Sequence, residues 1–159
     1  KLTLHSCPVS NEIVDGYFVT GDGYIAENST IIDRGVLKTH LLGIYGSNKL
    51  GKNRSVNDGG AYVVDPGEIS HKEMIKNIDR GVLLARFSGG NPSNNGDFSG
   101  VAKNSYYIEN GEIMFPLTET MVSGNIQEMF NNLDQVSSDR VDFGSGILPW
   151  ISFNGITIS

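Results

Sequence analysis

Residues 86–113, RFSGGNPSNNGDFSGVAKNSYYIENGEI, join a glycine-rich loop to an extended apolar run. The first half is rich in Gly, Asn, Ser and Pro, residues that permit a positive φ or bend the backbone through local hydrogen bonds. The second half ends at Asn110-Gly111, and Asn-Gly between apolar runs is a strong signal for a type I′ hairpin. The stretch therefore predicts a loop, a strand, a tight turn and a second strand. Such a loop on a β scaffold often carries function.

The composition favours a single β-rich domain. The chain has 159 residues, of which 38% are hydrophobic, and its 20 glycines can supply many turns. This length and turn content predict one domain over residues 1–159. The predicted fold class is α+β, with a mainly antiparallel β-sheet that could be barrel-like and two or three short helices.

Charge, hydropathy and cysteine content narrow the functional class. The net charge of −6 argues against a nucleic-acid partner, because a non-specific nucleic-acid surface needs clustered Lys and Arg. No apolar run approaches the ~18 residues of a membrane span, so no membrane partner is predicted. Cys7 is the only cysteine, which excludes an internal disulfide framework and favours a reducing, cytoplasmic compartment. The chain starts at Lys1 rather than Met, and we interpret it as a fragment of a longer protein.

Two short helices have recognisable start signals. Ser70 and Glu73 form a capping box, and Gly81 is the predicted C-cap residue with a positive φ. Asn125 and Glu128 resemble the start of a second helix. The predicted apolar face of this second helix consists of Ile126, Met129, Phe130 and Leu133.

Turn signals predict the remaining strands. The pentapeptide Asp-Arg-Gly-Val-Leu occurs at 33–37 and again at 79–83, and in both places it predicts a turn that starts an apolar strand. Residues 82–87 are predicted to form one apolar strand, and residues 46–60 a polar, solvated loop. Asn154-Gly155 predicts a last hairpin.

The sequence contains no complete catalytic motif. It lacks H-E-x-x-H, C-x-x-C and G-x-S-x-G. His5 and Cys7 could share one face of a strand, but two ligands do not make a metal site, so an ordinary half-buried pair is expected. Asp97 beside Ser99 could suggest a nucleophile with a helper, yet Lys103 is the one base near them in sequence. The residues alone predict no autonomous active site.

Three runs in the central stretch carry a family resemblance. They are Gly90-Asn91-Pro92, then Asn95-Gly96-Asp97-Phe98-Ser99-Gly100-Val101-Ala102, and then Tyr107-Ile108-Glu109-Asn110-Gly111-Glu112-Ile113. From about Gly16 to its end, the chain resembles the C-terminal domain of the TldD/PmbA family. Supporting features include Gly21-Asp22-Gly23 upstream and Val122-Ser123-Gly124-Asn125 downstream.

The resemblance implies a role in proteolysis. The family is associated with peptide maturation or degradation, and some members were named for modulation of DNA gyrase. Its members pair a zinc-bearing subunit with a partner that lacks the metal. The zinc type uses an H-E-x-x-x-H upstream of this domain and a cysteine near its C-terminus, whereas residues 141–146 here contain no cysteine. The chain therefore resembles the PmbA-type partner, with no cofactor of its own and zinc in a partner subunit.

Two functions stay open. In the first, the chain is the C-terminal domain of a non-metallated subunit in a peptidase complex. It acts on peptides or unfolded proteins with a zinc-bearing TldD-like paralogue, or as a homo-oligomer. In the second, it is a non-catalytic peptide-binding or regulatory module. Whether the chain belongs to an enzyme is left undecided, and no catalytic or metal-binding residue is assigned.

The loop at 89–100 is the candidate contact for a substrate or partner. Its candidate residues are Asn91, Asn95, Gly96, Asp97, Phe98, Ser99 and Gly100. The alternative is that these residues only permit tight turns and close packing.

Overall fold

The computed structural model describes residues 2–159, which form three β-sheets and three short helices. The helices are α1 (Ile44–Leu50), α2 (His71–Lys76) and α3 (Ile126–Asn131). The strands are β1 (Leu4–Ser6), β2 (Ser29–Asp33), β3 (Val36–Leu37), β4 (Tyr62–Val64), β5 (Arg80–Leu83), β6 (Arg86–Gly89), β7 (Asp97–Lys103), β8 (Tyr106–Glu109), β9 (Glu112–Pro116), β10 (Thr120–Asn125), β11 (Leu133–Asp142), β12 (Gly146–Phe153) and β13 (Thr157–Ile158). The prediction of an α+β fold with mainly antiparallel strands is confirmed, and these sheets are open rather than closed into a barrel. Within residues 2–159 no helix is long and apolar enough to cross a membrane.

The chain is divided into two compact units. Unit 1 comprises Lys1–Gly67 and Asp139–Pro149, and unit 2 comprises Glu68–Ser138 and Trp150–Ser159. Both β11 and β12 run through a division point. The chain therefore passes from one unit to the other three times.

Unit 1 is built on the sheet with strand order β11-β12-β4-β1-β2-β3. The β12–β4 pair is parallel, and the β4–β1, β1–β2 and β2–β3 pairs are antiparallel. Ile13, Ala61 and Val63 form its buried cluster, against which the half-buried Cys7 and Ile147 pack.

The predicted loop at 46–60 is wrong at its start, because α1 continues to Leu50. Gly51 ends the helix in the left-handed conformation, with φ of 62°, and its N–H donates to the carbonyl of Ser47. A glycine in this conformation is the usual helix terminator, so the stop signal lay inside the stretch interpreted as loop.

Unit 2 contains the antiparallel sheets β13-β10-β7-β6 and β5-β8-β9. The capping box of Ser70 and Glu73 is present at the start of α2, which confirms that prediction. The prediction for Gly81 is wrong, because α2 ends at Lys76 and its C-cap residue is Asn77, in the right-handed conformation. Gly81 instead lies in β5, opposite Ile108 of β8.

Two predicted strands are each split between sheets. Residues 82–87 are divided between β5 and β6, which belong to different sheets, and the N–H of Ala85 donates to Ser105 Oγ at 3.2 Å between them. The extended run after the central loop is likewise divided between β7 and β8 at Asn104, which has φ of 50°. Asn110 and Gly111, with φ of 50° and 78°, confirm the predicted turn between β8 and β9.

The last predicted hairpin is wrong. β13 follows the turn at Asn154-Gly155 but pairs with β10, where Ile158 lies opposite Val122. The N–H of Asn154 donates to the carbonyl of Asn132 at 3.0 Å, so the turn is tied to the residue that precedes β11. Asn125 caps α3 as predicted, but Leu133 starts β11 instead of extending the helix.

Candidate functional site

The structure places every predicted site residue on the β6–β7 hairpin of unit 2. The loop is shorter than the predicted 89–100, because β6 extends to Gly89 and β7 starts at Asp97. We call residues 90–96 the hairpin loop. It contains Asn91, Asn95 and Gly96, whereas Asp97, Phe98, Ser99 and Gly100 lie on β7.

Ser93 holds the hairpin loop together through hydrogen bonds to Gly96 and Asp97. Its N–H donates to the carbonyl of Asp97 at 2.8 Å, and its carbonyl accepts from the N–H of Gly96 at 2.8 Å. Its hydroxyl oxygen accepts from the N–H of Asp97 at 3.0 Å. Gly96 has φ of 91°, a conformation that strongly favours glycine. The loop is therefore tightly turned rather than loosely extended.

Asn125 joins the hairpin loop to the start of α3. Its Nδ2 donates to the carbonyl of Asn95 and to Asp97 Oδ1, each at 2.9 Å. Its Oδ1 accepts from the N–H of Gln127 at 2.9 Å, as an N-cap residue does. The N–H of Ile126 donates to the carbonyl of Gly96 at 2.9 Å, which adds a backbone link.

The sequence indicated Asn125 as a helix cap, but its second role was missed. An asparagine cap uses its carbonyl oxygen for the helix and keeps two amide donors for other acceptors. These two unused amide donors were the sequence signal for the second role of Asn125. In the structure they donate to one acceptor in the hairpin loop and one on β7.

Asp97 is held in its ionised form. Hydrogen bonds from the Asn125 amide, and then from the Asn95 amide at 2.7 Å, keep the pKa of the Asp97 carboxyl below its ordinary value. Since both carboxylate oxygens are occupied by amide donors, Asp97 acts as an anchor for the hairpin loop. The pairing of Asp97 with Ser99 as a helper and a nucleophile gains no support from these contacts.

The face of the hairpin opposite to the Asp97 side chain is packed by aromatic rings and glycines. Phe87 and Phe98 make an edge-to-face contact with ring centroids 5.9 Å apart. Gly89 and Gly100 lie directly opposite each other across the β6–β7 ladder. A Cβ atom on Gly100 would lie 2.5 Å from Phe87 Cζ and 2.7 Å from Gly89 Cα. The ring of Phe87 can therefore cover this position only because no side chain is present.

β6 lies at the edge of its sheet within the described part of the chain. Three of its residues, Arg86, Phe87 and Gly89, are exposed. An edge strand presents backbone N–H and C=O groups that have no partner in the sheet, so it is a template for another extended segment.

The potential zinc ligands of the described residues do not fit a zinc centre. In residues 2–159 no three His, Cys, Asp or Glu side chains are grouped to hold a metal ion. His5 Nδ1 lies 3.0 Å from Thr30 Oγ1, and its Nε2 lies 3.2 Å from Asp65 Oδ1, so both ring nitrogens have protein partners. Burial, followed by the charges of Glu12 and Asp65, raises the pKa of the Cys7 thiol and disfavours the thiolate that would bind zinc.

Comparison with known proteins finds a family whose model matches the whole chain. The model of the PmbA/TldA metallopeptidase C-terminal domain matches residues 1–159. A metalloprotease PmbA homologue from Buchnera aphidicola is 34% identical over 98% of this chain and 34% of its own length. A relative from Saccharolobus solfataricus, named zinc metalloprotease TldD homolog, is 29% identical over 74% of this chain and 29% of its own length.

A solved structure agrees with the fold over almost the whole chain. The crystal structure of a protein from Bacteroides thetaiotaomicron, named as a proposed modulator of DNA gyrase, matches with a TM-score of 0.88 and 28% identity. The match covers 99% of this chain and 36% of that protein. The chain thus spans about a third of the length of the Buchnera aphidicola and Bacteroides thetaiotaomicron relatives.

Proposed function

The chain belongs to the PmbA/TldA metallopeptidase C-terminal domain family, and from this premise we propose that it forms the C-terminal domain of a PmbA-type subunit without its own metal. The subunit works in a peptidase complex that matures or degrades peptides. A zinc-bearing TldD-like paralogue supplies the metal, and the substrate is a peptide or an unfolded protein segment.

The exposed edge of β6 beside a pinned hairpin loop is the observation that supports this function most directly. A peptide that adds to a strand edge gains affinity from backbone hydrogen bonds, with little demand on its sequence. The loop is already ordered by Ser93 and Asn125, so binding does not have to bear the entropic cost of ordering it. Together the two features suit an extended, variable substrate.

A second exposed edge supports docking of the partner subunit. β9 is the outer strand of the β5-β8-β9 sheet in the described residues, and all five of its residues are exposed. Ile113, Met114 and Phe115 are consecutive apolar residues of this strand. Such an edge needs a cover, since an exposed apolar strand pairs readily with another chain. The proposed cover is the paralogue, or a second copy if the complex is a homo-oligomer.

A non-catalytic peptide-binding or regulatory module is the second candidate. It uses the same β6 edge and hairpin loop but requires no hydrolysis. The name of the Bacteroides thetaiotaomicron relative, a proposed modulator of DNA gyrase, favours it.

Reconstitution separates the two candidates. The full-length protein that carries this chain is purified alone and together with its TldD-like paralogue, and zinc content and hydrolysis of an unstructured peptide are measured for each. We expect stoichiometric zinc and hydrolysis only in the complex, with both lost after treatment with a chelator. Hydrolysis by the full-length protein alone, unaffected by the chelator, would contradict the proposal.

Asn125 provides a test of the hairpin loop itself. Asn125→Ser keeps an oxygen that can cap α3 but removes the amide that holds Asn95 and Asp97. Asn125→Ala removes both functions and should lower the free energy of unfolding by about 1 kcal/mol more than the serine variant. Peptide affinity of the full-length protein should fall to the same extent in both variants, because both release the loop.

The comparison of these variants by urea unfolding and by peptide anisotropy identifies the role of Asn125. If affinity follows stability, so that the serine variant binds like the unaltered protein, Asn125 is only a helix cap and the loop is not a positioned binding element.

A further inference from the structure

We propose that an apolar cavity in unit 2 receives a large apolar side chain of the peptide, so that substrates are selected for aromatic or long aliphatic residues. The inference rests on the proposed peptide binding at β6. It adds a substrate class, which the strand edge by itself cannot provide.

The cavity has the size and chemistry of a ligand site. Its volume is about 720 Å³, and all the residues that line it belong to unit 2. Ligand pockets in proteins are typically about 300–1,000 Å³ and lined mainly by apolar and aromatic groups. Four aromatic rings contribute to its walls, those of Phe87, Phe98, Trp150 and Phe153.

The cavity adjoins the proposed peptide track. Phe87 on β6, Phe98 on β7 and Gly90 in the hairpin loop line it. Phe87 is 37% exposed and Trp150 is 36% exposed, so two of the aromatic walls can be reached from solvent. Successive side chains of an added strand point to opposite faces of the sheet. Every second side chain of a peptide on β6 would therefore point to the face on which Phe87 lies.

Four polar side chains in the cavity wall, those of His71, Arg80, Asp134 and Ser152, already have partners. Arg80 Nε donates to the Tyr107 hydroxyl at 3.0 Å, and the hydroxyl of Ser152 donates to Asp134 Oδ2 at 3.2 Å. His71 stacks on Trp150 with ring centroids 5.3 Å apart. A charged side chain entering the cavity would lose its hydration and compete with these existing contacts, whereas an apolar side chain would gain from burial.

A peptide series on the unaltered full-length protein tests the inference first. Fluorescently labelled Gly/Ser peptides carry Phe, Leu, Ser or Asp at one central position, and binding is followed by anisotropy. We expect the Phe and Leu peptides to bind about 10-fold tighter or more than the Ser and Asp peptides. Equal affinities across the series would overturn the inference.

A matched pair of substitutions then locates the effect. Met129→Trp projects a larger side chain into the cavity from α3. Met121→Trp makes the same change at an exposed position of β10, outside the cavity lining and adjacent to Val122, which lines it. We expect the first variant to reduce affinity for the Phe peptide towards that of the Ser peptide. The second should stay within about twofold of the unaltered protein. Equal affinities of the two variants for the Phe peptide would place the selection elsewhere and overturn the inference.

The outcomes distinguish this inference from the proposed function. If the reconstituted complex hydrolyses all peptides of the series alike, the peptidase role stands and the cavity has no part in selection. If Phe peptides bind selectively but the complex hydrolyses none, the cavity assignment stands and the peptidase role fails.

Discussion

Gly100→Ala is expected to destabilise the protein by about 3 kcal/mol, although it adds a single methyl group. The new Cβ would lie 2.5 Å from Phe87 Cζ, 2.7 Å from Gly89 Cα and 2.7 Å from the carbonyl oxygen of Ser88. Two of these atoms are backbone atoms of the paired strand, so the conflict cannot be relieved by rotating a side chain. The β6–β7 ladder would have to separate, and urea unfolding at neutral pH measures the cost.

Gly90→Ala is the matched control for this change. Gly90 lies in the same hairpin, but a Cβ there would have no heavy atom within 4 Å. Its stability should change by less than about 0.5 kcal/mol, the usual range for a surface substitution. Equal stabilities of the two variants would mean that Phe87 and the two strands do not pack as described. Peptide affinity should also fall in the Gly100 variant, because β6 would be displaced.

Gly111→Ala is expected to have the second largest effect, again about 3 kcal/mol. Gly111 has φ of 78° in the turn between β8 and β9, and the turn is docked on the residues that follow α2. Its N–H donates to the carbonyl of Ile78 at 2.8 Å, and the N–H of Asn110 donates to that of Asp79 at 2.7 Å. An added Cβ would lie 2.7 Å from the carbonyl oxygen of Lys76 and 3.0 Å from its Cα.

The control for Gly111 separates backbone strain from collision. Gly23 has a similar φ of 84°, but a Cβ there would have no heavy atom within 4 Å. Gly23→Ala should therefore cost only the strain of the left-handed conformation, about 1 kcal/mol. Thermal and urea unfolding of both variants measure the difference. If Gly111→Ala costs no more than Gly23→Ala, the turn is not docked on α2.

Local signals in the sequence predicted the elements that depend on local hydrogen bonds. The capping box of Ser70 and Glu73, the cap by Asn125 and the turn at Asn110-Gly111 all form as expected. Each has a signal carried by residues at most three positions apart, although the turn at Asn110-Gly111 is also held by the carbonyls of Ile78 and Asp79. The family resemblance, carried by the central stretch, also agrees with the family model.

The repeated pentapeptide shows where local prediction fails. At 33–37 its Arg34 and Gly35 adopt φ of 47° and 85°, and the turn starts β3 as expected. At 79–83 the same Arg-Gly pair lies within β5, paired with β8. Identical residues thus take different conformations because a distant strand, not the local sequence, supplies the hydrogen-bond partners. The wrong hairpin at Asn154-Gly155 has the same cause.

The sequence predicted that the seven candidate residues lie close together, but it did not predict how the hairpin around them is built. All seven candidate residues share one hairpin, as their sequence proximity indicated. The link from Asn125 spans 28 residues to Asp97, and the closeness of Gly89 to Gly100 depends on the register of two strands. Neither relation has a local sequence signal, and the cavity beneath them arises only when α2, α3 and the last strands are assembled.

The order of the segments of the two units along the chain has a consequence for their folding during synthesis. Each unit joins an early segment to a late one, at Asp139–Pro149 and Trp150–Ser159 respectively. On the ribosome, residues emerge in sequence order, so all 138 residues of this chain that precede Asp139 must leave the exit tunnel before either late segment can appear. Both units are thus completed late and in quick succession. Exposed sheet edges persist meanwhile, and chaperones that shield nascent chains would bind during this interval.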